Sequence, residues 1–432
     1  MTIEELYKIF EQHPVVTTDS RDCPEGSIFI ALKGENFDGN QFASKALEQG
    51  CAYAIVDDEA CATGDSRIIL VENGLKTLQQ LARHHRRTLA TPIIGVTGTN
   101  GKTTTKELIA AVLSERFNVL YTQGNLNNPI GVPKTLLRLT PGHDIAVVEM
   151  GASHPGDIRE LVEIAEPDSG IITNVGRAHL LGFGSLEGVI STKGELYDFL
   201  RQREGSVVFI DYGNEHLKAI AHGLSLVPYG IGENEGLCAA GEVMTCDPTL
   251  TMRWRHGGGE WHTIPTHLIG AYNIYNMLAA AAIGIYYGVS EEQVCHALAN
   301  YVPSNNRSQL TVTERNRLIV DTYNANPTSM AAALSNFRDM KVAPKMAILG
   351  AMRELGDVSE EEHRRVVDFL LSAGFDKVWL VGEEFDTIDC PYPKFHDVEG
   401  VKAAIAQQCP EGYHIFIKGS NSTRLFELPA LL

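Results

Sequence analysis

The sequence predicts an α/β protein of three units, the middle one a parallel sheet with helices on both faces. Three observations carry this. From residue 92 onward, short apolar runs alternate with helical runs, which is the pattern of strands joined by crossover helices. One of those runs, Ile93 to Val96, passes through a glycine-bracketed turn, Gly98-Thr99-Asn100-Gly101, into the helical opening Lys102-Thr103-Thr104-Thr105. The length, 432 residues, exceeds one core at about 150 residues per domain.

Strand, glycine turn, Lys-Thr and helix is the order that cradles phosphate. Glycines let backbone N–H groups turn inward around an anion, and the helix N-terminus adds partial positive charge. Lys102 is placed to reach β- and γ-phosphates, and the Thr103 hydroxyl to ligate Mg²⁺. The strict pattern puts its first glycine at position 96, which is Val96 here, with Gly95 one residue away.

In chain order, residues 1–91 form the first unit, a small α/β domain. Ser27 to Leu32 and Cys51 to Val56 read as strands, and Phe42 to Gln49 and Leu75 to Leu89 as helices. Asp19-Ser20-Arg21 and Lys33-Gly34-Glu35-Asn36-Phe37-Asp38-Gly39 read, taken alone, as turn residues beside strands. The second unit, 92–303, adds strands at Asn118–Tyr121, Asp144–Met150, Gly170–Val175 and Ser206–Asp211. Residues 241 to 265 alternate polar and apolar around Gly257-Gly258-Gly259, predicting a small antiparallel annex with a hairpin. Helices follow after Ala271 and over Glu291 to Asn300. Pro303-Ser304-Asn305-Asn306 is the linker candidate. The third unit, 304–432, alternates strands (Leu318–Asp321, Lys345–Leu349, Lys377–Val381, His414–Ile417) with helices (Ser329–Met340, Ser359–Ala373, Val398–Gln407), a Rossmann-like arrangement.

A net charge of −18 disfavours nucleic acid and anionic membrane as partners, since both need a basic footprint. Met1 to Phe10 carries acids where a signal peptide has a basic region and an apolar core. The longest mostly apolar stretch, Met277 to Val289, is too short to span a bilayer. Eight scattered cysteines without a Cys-x-x-Cys pair read as reduced thiols. The expectation is a cytoplasmic protein without membrane insertion.

In a phosphate-loop sheet, ligands sit at the carboxyl ends of the strands. Glu149 ends an apolar run there and reads either as a metal-holding acid or as a helix cap. His179 follows the run Gly170–Val175; a lone histidine is more often structural. Lys193, in Ser191-Thr-Lys-Gly-Glu-Leu196, reads from spacing as a surface lysine. Asn273 and Asn276 place two amides on one helix face, where amides read an adenine edge or cap a helix. Asp321 ends a strand and reads as a ribose acceptor or a solvated acid; Arg307 follows the linker and reads as a phosphate partner or a surface group.

Together these residues resemble the Mur ligases, ATP-dependent amino-acid-adding enzymes of peptidoglycan synthesis. The likeness spans nearly the whole chain, through Gly98-Thr-Asn-Gly-Lys-Thr103, Glu149, His179, Lys193, Asn273, Asn276, Arg307 and Asp321. Four stretches look like the branch that adds D-alanyl-D-alanine to UDP-N-acetylmuramoyl-tripeptide. They are Gly124–Gly131, Asp321–Pro327, Leu349–Gly356 and Lys418–Ser420. Departures from the branch pattern are Ala351 for Asp, Asn421 for Arg and Pro129 for Asp.

The resemblance implies a mechanism. ATP phosphorylates the tripeptide's terminal carboxylate, the dipeptide amine attacks the acyl phosphate, and phosphate leaves. It implies ATP binding by Gly98 to Thr104, Asn273, Asn276, Arg307 and Asp321. Two Mg²⁺ ions are implied, one on Thr103 and Glu149, the other on His179 and a carbamylated Lys193. Ser20, Arg21, Lys33, Asn36, Phe37, Asn125 and Asn128 are implied for the UDP-substrate. It further implies a monomer whose C-terminal domain closes on ATP. The alternatives are the tripeptide-forming branch, whose Asp-Asn-Pro-Arg motif is absent, and a P-loop regulatory NTPase, for which the guanine motif Asn-Lys-x-Asp is absent.

Overall fold

The computed structural model describes residues 1–432 other than 36, 63, 234, 235, 304–306 and 308. Asn36 and, apart from Pro303, the predicted linker therefore lie outside the described residues.

The first sheet is parallel, in the order Val16–Thr17, Ile28–Ile30, Tyr53–Val56, Ile68–Leu70. Its two faces follow the two-residue period of a strand. Ile28 and Ile30 enter one core, while Phe29 and Ala31 enter another on the far side with Ala43, Ala46 and Leu47. The helix Gly74–Leu89 joins this sheet to the next unit: Leu78, Leu81 and Ala82 share a core with Val132, Leu136, Ile158 and Leu161.

The middle sheet has nine strands. Its order is His262–Ile269, Thr249–His256, Ala239–Cys246, Leu226–Ile231, Val207–Asp211, Ser169–Ile172, Ile93–Thr97, Ile145–Glu149, Val119–Tyr121. Neighbouring strands from Ala239–Cys246 to Val119–Tyr121 are parallel. Both faces are covered, so the strands read as unbroken apolar runs. Ala146, Val148 and Ile172 face the helices Asp157–Ala165 and Leu186–Arg201; Ile94, Val96 and Val147 face Lys102–Ser114 and Asn273–Tyr286. The last two helices approach closely because Asn273–Tyr286 is small along its contact: a Cβ on Gly284 would lie 2.4 Å from Val112.

The antiparallel segment is not a separate annex. Ala239–Cys246 pairs in parallel with Leu226–Ile231, and the two strands after it continue the same sheet. The physical reason is burial: Leu250, Met252 and Trp254 alternate onto the core that already covers Asn273–Tyr286, so the segment completes an existing layer.

The third sheet runs Gln309–Val312, Arg317–Asp321, His414–Lys418, Lys345–Gly350, Lys377–Val381, Lys394–Phe395. All its pairings are parallel except that of the first strand. His414–Lys418, last in sequence, inserts between Arg317–Asp321 and Lys345–Gly350, which places Asp321, Gly350 and Lys418 at one edge. Among the described residues no helix is long and apolar enough to cross a membrane, and all eight cysteines are free.

Candidate active site

The phosphate loop leaves the tip of Ile93–Thr97, beside the point where the chain switches from one side of that strand to the other. Two glycines are required there. Gly98 has φ +140° and a Cβ would meet Thr173 Oγ1 at 2.1 Å; Gly101 has φ +79° and a Cβ would meet Asn276 Oδ1 at 2.6 Å. The loop is braced from the neighbouring strand. Thr173 Oγ1 and Asn174 Nδ2 donate to Asn100 O at 2.6 and 3.0 Å, and Asn100 N donates to Asn174 Oδ1 at 3.0 Å. Lys102 Nζ curls back to donate to Gly98 O (2.8 Å) and Thr99 O (3.1 Å). Burial pulls its ammonium down to about 8; Glu149 opposes that shift and Arg307 adds to it.

Glu149 is buried behind the loop. Its Oε1 accepts from Thr103 Oγ1 at 3.2 Å and from Asn127 Nδ2 at 2.8 Å. Its Oε2 has no hydrogen-bond partner and lies 3.8 Å from the fully buried Lys106 Nζ. A buried carboxylate oxygen with no hydrogen bond, next to a hydroxyl, is a donor set that fits a hard divalent cation. Among the described residues no cluster of three or more His, Cys, Asp or Glu side chains is arranged to hold a metal.

Lys193 is not the surface residue its spacing predicts: it is 2% exposed. Its helix, Leu186–Arg201, turns it inward beneath the cleft, with Nζ 3.4 Å from Ala152 O and 5.4 Å from the Phe183 ring centre. Burial first, then the Lys102 cation, holds its pKa well below the ordinary lysine value. His179 caps a short helix in left-handed conformation (φ +49°), and its Nδ1 meets Glu354 Oε2, on a residue at φ +61°. Burial also lowers the His179 pKa.

A cleft of 820 Å³ lies between the middle and C-terminal sheets. Of the predicted residues it is lined by Thr99 to Thr104, Asn128, Glu149, His179, Asn273, Asn276, Arg307 and Asp321. Arg307 stacks on Tyr323 at 3.8 Å, and Lys418 Nζ donates to Asp321 Oδ2 at 2.5 Å. Asn273 and Asn276 are largely engaged with protein. Asn276 Nδ2 donates to Asn273 Oδ1 (2.8 Å), Asn276 Oδ1 accepts from Thr105 (3.0 Å), and Asn273 Nδ2 donates to Ile269 O (2.7 Å).

Gly98 and Lys193 sit behind the lining, and Ser20, Arg21, Lys33, Phe37 and Asn125 are not part of it. Ser20 is buried, Arg21 is 86% exposed and forked onto Asp19, Lys33 pairs with Asp38, and Phe37 stacks on Phe42 at 5.3 Å. Asn128 Oδ1 accepts from Gly131 N at 2.8 Å and so braces the turn that leads into the helix Gly131–Leu136. Sequence reasoning missed Asn127, Asn174, Lys106 and Glu354 as site residues. Asn127 and Glu354 fall inside stretches that carry the family resemblance, which is the signal that could have found them.

An anion cradle, a buried metal-ready carboxylate and a second α/β sheet that brings cations to the same cleft define an enzyme that works on nucleotide phosphates. The sequence matches three family descriptions in succession: "Mur ligase family, catalytic domain" over residues 14–86, "Mur ligase middle domain" over 96–284 and "Mur ligase, glutamate ligase domain" over 306–421. The chain belongs to the Mur ligase family. It is 36% identical over 372 residues to the UDP-N-acetylmuramoyl-tripeptide–D-alanyl-D-alanine ligase of Bacillus subtilis, covering 85% of this chain and 80% of that one. It is 34% identical to the Escherichia coli enzyme of the same name, covering 96% and 92%. The crystal structure of the MurF ligase of Thermotoga maritima in complex with ADP superposes with TM-score 0.85 at 27% identity, covering 96% of each chain.

Proposed function

We propose that this chain is the ATP-dependent ligase that joins D-alanyl-D-alanine to UDP-N-acetylmuramoyl-tripeptide in peptidoglycan precursor synthesis, forming ADP and phosphate. The observation that carries this is the near full-length likeness to enzymes of that name, together with a cleft whose cations converge from two sheets. In the reaction, a carboxylate oxygen of the tripeptide attacks the γ-phosphorus of ATP and ADP leaves. The dipeptide's amine then attacks the acyl carbon, loses a proton and expels phosphate. No protein nucleophile is needed, so positioning and charge neutralisation supply the catalysis. Lys102 neutralises the transferred phosphoryl group. Arg307 and Asp321 address ATP from the C-terminal sheet, and bringing that sheet over the loop excludes water from the acyl phosphate.

Thr103 and Glu149 would hold one Mg²⁺; His179 and Lys193 would hold a second if Lys193 carries a carbamate. Cations held there would supply positive charge that neutralises phosphate oxygens. Lys193 suits carbamylation because burial disfavours its ammonium form; the uncharged amine is the form that adds CO₂, giving an N-carboxylate and releasing a proton. We read the domains as 1–91, 92–303 and 304–432. The first takes the UDP end through Ser20, Arg21, Lys33, Asn36 and Phe37, joined by Asn125 and Asn128. The chain is read as a cytoplasmic monomer. The test is phosphate release across a panel of UDP-peptides and amines. Release is expected only with ATP, the UDP-tripeptide and D-alanyl-D-alanine together; release without the acceptor or the amine would overturn the reading.

A further inference from the structure

The segment from Arg177 to Leu181 follows the strand Ser169–Ile172 of the middle sheet and is gripped from the C-terminal unit. Arg177 N donates to Thr328 Oγ1 at 3.2 Å, Arg177 Nη1 donates to the buried Glu362 at 3.1 Å, and Leu181 N donates to Glu354 O at 3.2 Å. Between them His179 Nδ1 meets Glu354 Oε2. The loop that carries Glu354 is itself fixed. Met352 N donates to Nε2 of the fully buried His363 at 3.0 Å; that imidazole therefore holds its proton on Nδ1 and gives it to Ser359 O at 2.7 Å. Both members of the His179–Glu354 pair have left-handed backbone, φ +49° and +61°, a conformation that costs energy in a residue with a side chain. The contact does not offset that cost as an ion pair, because the Glu354 side chain is 56% exposed and water screens it. What the contact supplies is direction.

We propose that Glu354 is a positioning residue that presents Nε2 of His179 to the cleft as a bare lone pair. A carboxylate only accepts, so the proton of the neutral imidazole is drawn to Nδ1. Nε2 then carries none, on a residue that lines the cleft. A histidine that ligates a metal commonly donates its other N–H to a carboxylate, which fixes ring and tautomer together. This rests on the reading that His179 helps to hold a second Mg²⁺, and adds what orients it. His179 comes from the middle unit and Glu354 from the C-terminal unit. The imidazole is therefore set as a ligand only while the C-terminal sheet lies over the phosphate loop, so metal binding and closure favour one another.

The test is nitrogen-15 NMR of the imidazoles in the full chain with a non-hydrolysable ATP analogue and Mg²⁺, at about pH 8, above the ordinary histidine value. The His179 signal is identified by its loss in His179→Gln. Wild type is expected to show a proton on Nδ1 and none on Nε2. Glu354→Gln, whose amide oxygen still accepts, is expected to keep that pattern, and Glu354→Leu to lose it. Arg177→Ala, which loosens the same interface without touching the imidazole, is expected to keep it. Mn²⁺ binding followed by electron paramagnetic resonance is the second readout. The affinity for one of two Mn²⁺ ions is expected to fall at least about tenfold in Glu354→Leu and to be largely restored in Glu354→Gln. A proton on Nε2 or on both nitrogens in wild type would overturn the proposal. So would a pattern lost in Glu354→Gln, unmoved in Glu354→Leu, or moved as far by Arg177→Ala, and so would Mn²⁺ binding that falls in His179→Gln but not in Glu354→Leu. A Glu354-dependent pattern with Mn²⁺ binding unchanged in His179→Gln would instead overturn the reading of His179 as a metal ligand.

Discussion

Asn326 Nδ2 donates to Asn100 Oδ1 at 2.8 Å, so the C-terminal unit touches the tip of the phosphate loop directly. The same Asn326 side chain caps the helix Pro327–Asp339 through Ser329 N at 2.9 Å. One residue thus starts a helix of the third sheet and reports the state of the loop. Asn326→Ser retains a capping oxygen but is too short to reach Asn100. It is expected to raise KM for ATP by about three- to tenfold, the worth of one hydrogen bond, with the melting temperature nearly unchanged. Steady-state kinetics beside a thermal melt checks this, and an unaltered KM would mean the contact does not couple loop and domain.

His85 supplies a pH dependence of stability. It is buried where the helix Gly74–Leu89 meets the middle unit. Nε2 donates to Leu139 O at 2.9 Å, which leaves Nδ1 to accept from the Tyr7 hydroxyl at 3.0 Å. Burial lowers its pKa from the ordinary 6.5. The unfolded chain therefore binds more protons between the two values, and stability rises with pH across that window. The contribution is whole above 6.5 and is lost as pH falls through the depressed folded value. Melting temperatures at about pH 7.5 and about pH 5.5 should differ less in His85→Gln than in wild type.

Lys193 separates two chemistries. As a carbamate it presents oxygens; as a plain lysine it presents an ammonium. Activity of Lys193→Ala is expected to return in part with short-chain carboxylates and not with small amines. Carbon-13 bicarbonate should give the wild-type chain a carbamate resonance that Lys193→Ala lacks. Rescue by amines alone, with no such resonance, would leave Lys193 a phosphate-pairing or structural cation.

Of the residues proposed for the UDP-substrate, Arg21 and Phe37, which stacks on Phe42, lie outside the cleft lining. Arg21→Ala and Phe37→Ala are expected to raise KM for the UDP-peptide and to leave KM for ATP unchanged, the signature of lost uniform binding to one substrate. Equal effects on both substrates would remove the assignment.

Much of the fold was legible because both faces of the parallel strands are buried, which makes runs such as Ile93–Val96 and Lys345–Leu349 stand out. The place where strand reading failed was topological: alternation over residues 241–265 announced antiparallel strands but not which edge they join. At the site, Lys102, Thr103 and Glu149 were legible because strand-tip positions in a phosphate-loop sheet face one crevice. Asn127, Asn174 and Asn326 were not, since an asparagine in a loop looks like turn chemistry until tertiary structure gives it a partner. Lys193 was misjudged from spacing for a related reason. Its helix carries a buried Thr192-Lys193-Gly194-Glu195 stretch whose polar character says surface, while the fold presses it beneath the cleft.

The most direct measurement follows one oxygen atom. UDP-N-acetylmuramoyl-tripeptide labelled with oxygen-18 in its terminal carboxylate is incubated with ATP and D-alanyl-D-alanine, and the released phosphate is weighed by mass spectrometry. Attack by that carboxylate on the γ-phosphorus leaves a labelled oxygen bridging carbon and phosphorus, and amine attack at carbon sends it out with phosphate. Phosphate carrying one heavy oxygen, in step with formation of the amide product, is the predicted result. Unlabelled phosphate, or phosphate released without amide, would contradict an acyl-phosphate ligase.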